Sequence, residues 1–195
     1  MQGTFGFYND QSNRPRNPER LFFGMLLDGG ACGYMEAYAD RLFSRHRIKG
    51  ARLKPERLHV SLHHLGDHRR LRTKMIYGAR QAAKSVSMEP FEISFRSIQS
   101  FEASPHKTGR RPLVLLGEGG DALATLFRTL GIALIGNGLK AAAAFKPHMT
   151  LSYGPQLIPV QEIEPIHLRA HSFSLIHSRL GLTQYEVIDR WPLGT

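Results

Sequence analysis

Hydrophobic residues along the chain recur with three rhythms, and each predicts a different element. Two short, nearly continuous apolar runs, Arg20–Leu27 (RLFFGMLL) and Leu113–Leu116, have the length of buried strands. Helical spacing appears in three places. Met35, Tyr38, Ala39 and Leu42 predict a first helix of about 15 residues. Leu71, Met75, Ala79, Ala82 and Val86 predict a second, and Leu123, Leu126, Phe127, Leu130 and Leu134 a third that Asn137-Gly138 ends. Strict alternation marks a half-exposed strand over Phe91–Ile98 and two or three more within Ile163–Leu168, Phe173–Ile176 and Tyr185–Ile188. Lys54-Pro55-Glu56 reads as a loop, and residues 105–111 (PHKTGRR) as a basic turn pivoting on Gly109. Residues 1–18 have no period and are expected to form a loose lead segment, leaving residues 19–195 as one domain.

One pattern occurs twice. Leu58-His59-Val60-Ser61-Leu62 and Pro147-His148-Met149-Thr150-Leu151 both read apolar, His, apolar, hydroxyl, Leu, with the histidines 89 positions apart. Side chains on a strand alternate between faces. Leu58, Val60 and Leu62 therefore face a core while His59 and Ser61 share the other side. In the second copy His148 and Thr150 do the same. Carrying the alternation onward puts His64 in the core and His63 on the site face. Each copy follows a buried strand, a helix and a polar link, and Phe23 precedes His59 by 36 positions as Pro112 precedes His148. This order predicts an α+β fold of two duplicated sheet lobes related by a pseudo-two-fold, helices outside and a groove between them.

Composition narrows the partners. The net charge of +10 on 195 residues suits a polyanion, nucleic acid above all. A single cysteine, Cys32, excludes an intramolecular disulfide and fits a reducing cytoplasm. No apolar run is long enough to span a bilayer and no leader is apparent, so a cytoplasmic monomer is expected. His63, His64 and His68 lie near His59, but only Asp67 joins them at ligand spacing, so neither a metal nor a cofactor is expected.

Two imidazoles on opposite sides of a phosphorus atom can serve as base and acid in an in-line displacement. His59 and His148 are the candidate catalytic pair, and Ser61 and Thr150 the candidate phosphate-binding hydroxyls. Tyr153 and His63 are candidate substrate contacts. So is Phe23, since one of Phe22 and Phe23 could face the groove and stack on a base. A strained 2′,3′-cyclic phosphate needs only water as nucleophile, and basic surface would attract RNA bearing such an end. The alternatives are the same chemistry on small cyclic nucleotides or ADP-ribose cyclic phosphate, and a basic RNA-binding module with incidental histidines.

With these residues in view, the chain resembles the 2H phosphoesterase superfamily, specifically the bacterial RNA 2′,3′-cyclic phosphodiesterases also called 2′-5′ RNA ligases. The paired His-x-Thr/Ser motifs carry the likeness. Arg20-Leu21-Phe22-Phe23, Lys54-Pro55-Glu56, Leu65-Gly66, Lys146-Pro147, Ser178-Arg179-Leu180 and Tyr185-Glu186-Val187 extend it to nearly the whole chain. The resemblance implies a bilobal fold and a metal-free site in which His59 donates a proton and His148 accepts one. It also implies hydrolysis of cyclic phosphate ends to 2′-phosphomonoesters, with reversible 2′-5′ ligation in some members. The chain departs from the family pattern at three places, one of them His64, which stands where an aromatic or apolar residue is common. Ser61 stands where Thr is commoner, and Ser152-Tyr153 where many members carry Arg.

Overall fold

In a computed structural model, which describes residues 15–102, 110–182 and 184–194, the first apolar run forms strand β1 (Glu19–Leu26). Its alternation buries Leu21, Phe23 and Met25 on one face and turns Phe22 and Gly24 to the other. The chain then runs through α1 (Gly29–Arg45), a two-residue β2 (Ala51–Arg52), a short 3-10 turn (Pro55–Arg57) and β3 (His59–His68). After α2 (Thr73–Lys84) come β4 (Phe91–Ser100), β5 (Arg111–Glu118), α3 (Gly120–Gly136), β6 (His148–Gly154), β7 (Gln161–Ala170), β8 (Ser172–Arg179) and β9 (Gln184–Pro192). Most of the lead segment and of the basic turn at Gly109 lies outside the described residues.

Local chemistry sets the helix ends. Asp28 caps α1, its Oδ1 accepting from the Ala31 N–H at 2.7 Å. Past α3, Gly138 takes φ +73°, a left-handed value that costs glycine little. That bend lets the Gly138 and Leu139 N–H groups close back on the Ile135 and Leu134 carbonyls at 2.9 Å each.

All strands join one sheet of order β7-β4-β5-β6-β3-β1-β8-β9, with β2 added beside β6. Every pairing is antiparallel. The order is symmetric about its middle, where β3 meets β6 through a single pair, Val60 opposite Met149. A pseudo-two-fold there exchanges β3 with β6, β1 with β5, β8 with β4 and β9 with β7. The predicted α+β architecture of two related halves is the one observed. One apolar cluster underlies both halves: Phe23, Val60 and Leu62 with Leu115, Met149 and Leu151, covered by Ala79 and Ala82 of α2 and Leu126 and Leu130 of α3. The face bearing His59, Ser61, His148 and Thr150 points away from it.

Both central strands bulge at the same place. On β3, Gly24 pairs with Ser61 but Phe22 with His64, so Leu62 and His63 together oppose Phe23 alone. On β6, Val114 pairs with Thr150 but Leu113 with Ser152. The extra residue breaks the alternation. Burial follows the same course in each strand: Leu62 and His63 are both buried, then His64 is exposed; Leu151 and Ser152 are both buried, then Tyr153 is exposed. Among the described residues, no helix is long and apolar enough to cross a membrane.

Candidate active site

The register assembles the site. From Val60–Met149, the antiparallel sense sets His59 across from Thr150 and Ser61 across from His148. Each motif therefore borders the other's hydroxyl, and four polar side chains meet at the seam of the two halves. The flanking strand beside His59 is cut back to make room. A Cβ on Gly24 would stand 3.2 Å from the Val60 carbonyl oxygen, 3.3 Å from the Phe22 ring and 3.4 Å from the His59 ring.

Each imidazole is held from its own backbone. His59 Nδ1 lies 2.8 Å from the carbonyl oxygen of Arg57, and His148 Nδ1 lies 2.8 Å from that of Lys146, both two residues upstream. A carbonyl only accepts, so Nδ1 is the protonated nitrogen in both rings and Nε2 is left for a substrate. An aromatic edge steadies each ring. Tyr185 stands 5.5 Å from His59 with Phe22 at 5.1 Å, and Phe101 stands 5.0 Å from His148. The same two upstream residues then cover those aromatics: Arg57 sits over Tyr185 at 4.5 Å and Lys146 over Phe101 at 4.8 Å. Carbonyl tether, aromatic edge and covering cation thus recur on both sides of the seam.

Electrostatics distinguishes His59. Its enclosure pushes the imidazole down from 6.5 to about 4; the Arg57 carbonyl opposes that shift, while His148 and Arg57 add to it as neighbouring positive charges. The chain's own cations are partly spoken for. Arg20 grips Asp67 with two hydrogen bonds of 2.7 and 2.8 Å, and that pairing holds the Asp67 carboxyl down to about 2. His64 bonds the same carboxylate at 2.9 Å. Arg57 is different: its Nε is buried with no hydrogen-bond partner among the described residues.

Several expectations need correction. Phe23 cannot contact a substrate, because it is fully buried against Phe173 and Trp191; Phe22 is the ring beside His59. His63 is equally excluded. The bulge rolls it inward, where it stacks on Phe127, bonds the Phe127 carbonyl at 2.8 Å and accepts from the Ala142 N–H at 3.1 Å. Gly131 of α3 leaves room for that ring, since a Cβ there would meet it at 3.1 Å. His64, expected in the core, is outside for the same reason. The spacing match of Phe23 with Pro112 is one residue off, since Phe22 opposes His64 as Pro112 opposes Tyr153. Tyr153 itself is 36% exposed; the covering of the rest of its side chain raises its phenol, Tyr185 adds to that, and Arg20 and Arg57 pull the other way. No group of three metal-ligating side chains occurs among the described residues. Sequence reasoning missed Arg57, Lys146, Phe101, Tyr185 and Gly24 as parts of the site. A cation two positions before each motif histidine was the signal available for the first two.

A sequence model of the 2′-5′ RNA ligase superfamily matches residues 36–187, a span that holds both motifs. The chain belongs to that superfamily. Solved structures share its fold. LigT of E. coli in its apo form is 18% identical, with 92% of this chain and 99% of that one aligned at a TM-score of 0.67. LigT complexed with 3′-AMP is also 18% identical, over 92% and 99%, at 0.66. TT0787 of Thermus thermophilus is 18% identical over 89% and 97%, at 0.68. No curated protein sequence matches the chain. Membership in the superfamily makes phosphodiester chemistry, hydrolytic or ligating, the class of activity for this chain.

Proposed function

We propose that the protein hydrolyses 2′,3′-cyclic phosphate ends of RNA to 2′-phosphomonoesters, without a metal. Water attacks phosphorus on the side opposite O3′, the new P–O bond forms and the P–O3′ bond breaks. His148 Nε2 takes the water proton and His59 Nε2 gives one to the departing O3′, so no net proton is consumed in the two steps. Ser61 and Thr150 donate hydrogen bonds to the non-bridging oxygens as their charge grows. Phe22, Tyr185 and Phe101 fix the ring planes, and the carbonyls of Arg57 and Lys146 fix the tautomers.

The observation that supports this reading most is the duplicated tether at a shared seam. Two histidines whose Nδ1 atoms are both committed to backbone carbonyls have only Nε2 to offer, and each has the other motif's hydroxyl across from it. A fortuitous pair of strand histidines would not share those features. Incubating an oligonucleotide ending in a 2′,3′-cyclic phosphate with the protein in excess chelator tests the proposal. Phosphorus NMR should show a 2′-monoester and no 3′-monoester. An intact cyclic end, or loss of turnover on adding chelator, would overturn it.

A further inference from the structure

Next to His59 the surface opens into a cavity of about 390 Å3 that the four motif residues do not line. Two residues join it to the site. Tyr185 and Arg57, which hold and border His59, also form one wall of the cavity. Leu26 and Val187 make its apolar side. Its charges are one-sided: Lys54, Arg57 and Arg190 line it against a single acid, Glu56. None of those three cations makes an ion pair among the described residues. Among those residues the buried Arg57 Nε has no hydrogen bond either. Unpaired cations around a partly apolar hollow suit an anion carried on an organic body.

The sheet relates this hollow to the phosphate position. Ser61 pairs with Gly24, Gly24 with Ser174 and Ser174 with Arg190, so one row crosses β3, β1, β8 and β9 on the site face. Three inter-strand steps put the Arg190 backbone about 14 Å from that of Ser61. The arginine side chain covers part of that distance. A ligand anchored at both places must therefore be longer than a single cyclic phosphate ring.

We infer that this cavity binds the phosphodiester on the 5′ side of the terminal nucleoside, and so makes the site selective for chain ends over free nucleoside cyclic phosphates. The inference rests on the reading above, in which His59 protonates O3′. The ribose then lies on the His59 side of phosphorus, and its 5′ oxygen leads toward Arg57, Tyr185 and the cavity. A free nucleoside cyclic phosphate carries no charge at that end and offers the three cations no anionic partner. An RNA end supplies one negative charge there for every further nucleotide.

The test compares adenosine 2′,3′-cyclic phosphate with the dinucleotide adenylyl-(3′→5′)-adenosine 2′,3′-cyclic phosphate, reading the ratio of their kcat/KM values. One charge-assisted phosphate contact should favour the dinucleotide by about tenfold or more. Arg190→Glu and Lys54→Glu should each bring the ratio toward one, and Val187→Trp should do so by filling the hollow. A second readout needs no turnover. Cys32 is the only cysteine in the sequence and lines this cavity, so its alkylation by a maleimide reports occupancy. The dinucleotide 2′-monophosphate should slow that labelling and adenosine 2′-monophosphate should not. A wild-type ratio near one, a ratio unchanged by Arg190→Glu and Lys54→Glu, or equal protection of Cys32 by both products would overturn the inference. Absence of hydrolysis with selective Cys32 protection would sink the catalytic reading alone and leave the binding site standing.

Discussion

The imidazole of His59 is the side chain whose surroundings say most. Held neutral by enclosure, it should titrate in the free protein near pH 4, read from its Cε1–H signal by NMR. A proton donor must carry its proton in the substrate complex, so a bound nucleotide 2′-monophosphate should raise that midpoint by more than one unit. No rise would mean that His59 is the base and His148 the acid. The same depression bears on stability. Its folded value lies below the ordinary 6.5, so the unfolded chain binds the extra proton between those two values. The contribution is complete above about pH 6.5 and falls away as the pH drops toward 4, by at most about 3 kcal/mol. Urea unfolding at pH 7 and 4.5 should show a smaller loss in His59→Gln than in the natural chain. His59→Ala and His148→Ala should each cut kcat by roughly 10² to 10⁴ with little change in far-ultraviolet dichroism. Gly24→Ala should cost about tenfold in kcat by pressing on the Val60 carbonyl and on the Phe22 ring that backs His59, since small misplacements of a reacting group are expensive. The motif histidines and hydroxyls were legible because alternation alone groups them. Phe22 and Phe23 were not, since adjacent aromatics at a strand leave open which one faces the core until the partner register is known.

Strands and helices were legible wherever one rhythm persisted for several residues. α3 ends at Gly136, immediately before the Asn137-Gly138 signal, and the alternating tail yields β7, β8 and β9. What the rhythm could not reveal is its own interruption. A bulge leaves no mark in a single sequence, yet one extra residue on β3 exchanges the fates of His63 and His64. His63 becomes a structural tie between β3, α3 and the segment before β6. His63→Ala should lower stability by about 2–4 kcal/mol, because it removes a buried ring and leaves the Ala142 N–H without its acceptor. Turnover per folded molecule should change far less, which chemical denaturation and active-site titration together would separate. The two-residue β2 escaped notice because Ala51-Arg52 is too short to carry any period; its partner is Tyr153 and Ser152 of β6.

At the scale of the molecule, duplicated order predicted two related halves, and the sheet has them. Charge gives the whole-surface prediction. With a formal excess of ten positive charges, KM for an oligonucleotide end should rise steeply between 50 and 200 mM salt while kcat stays nearly constant. A mononucleotide substrate should respond much less, and equal responses would count against a polyanionic partner.

The halves differ in how the chain builds them. β4, β5, β6 and β7 come from one uninterrupted length, Phe91 to Ala170, whereas β1 and β3 must wait for β8 and β9 from the far end. During synthesis the His148 side can close while the ribosome still holds the residues that complete the other. A nascent chain stopped before β9 would thus own both histidines but lack Tyr185, the ring that borders His59 and seats Arg57. Activity in such a protein should switch on all at once, as β9 emerges.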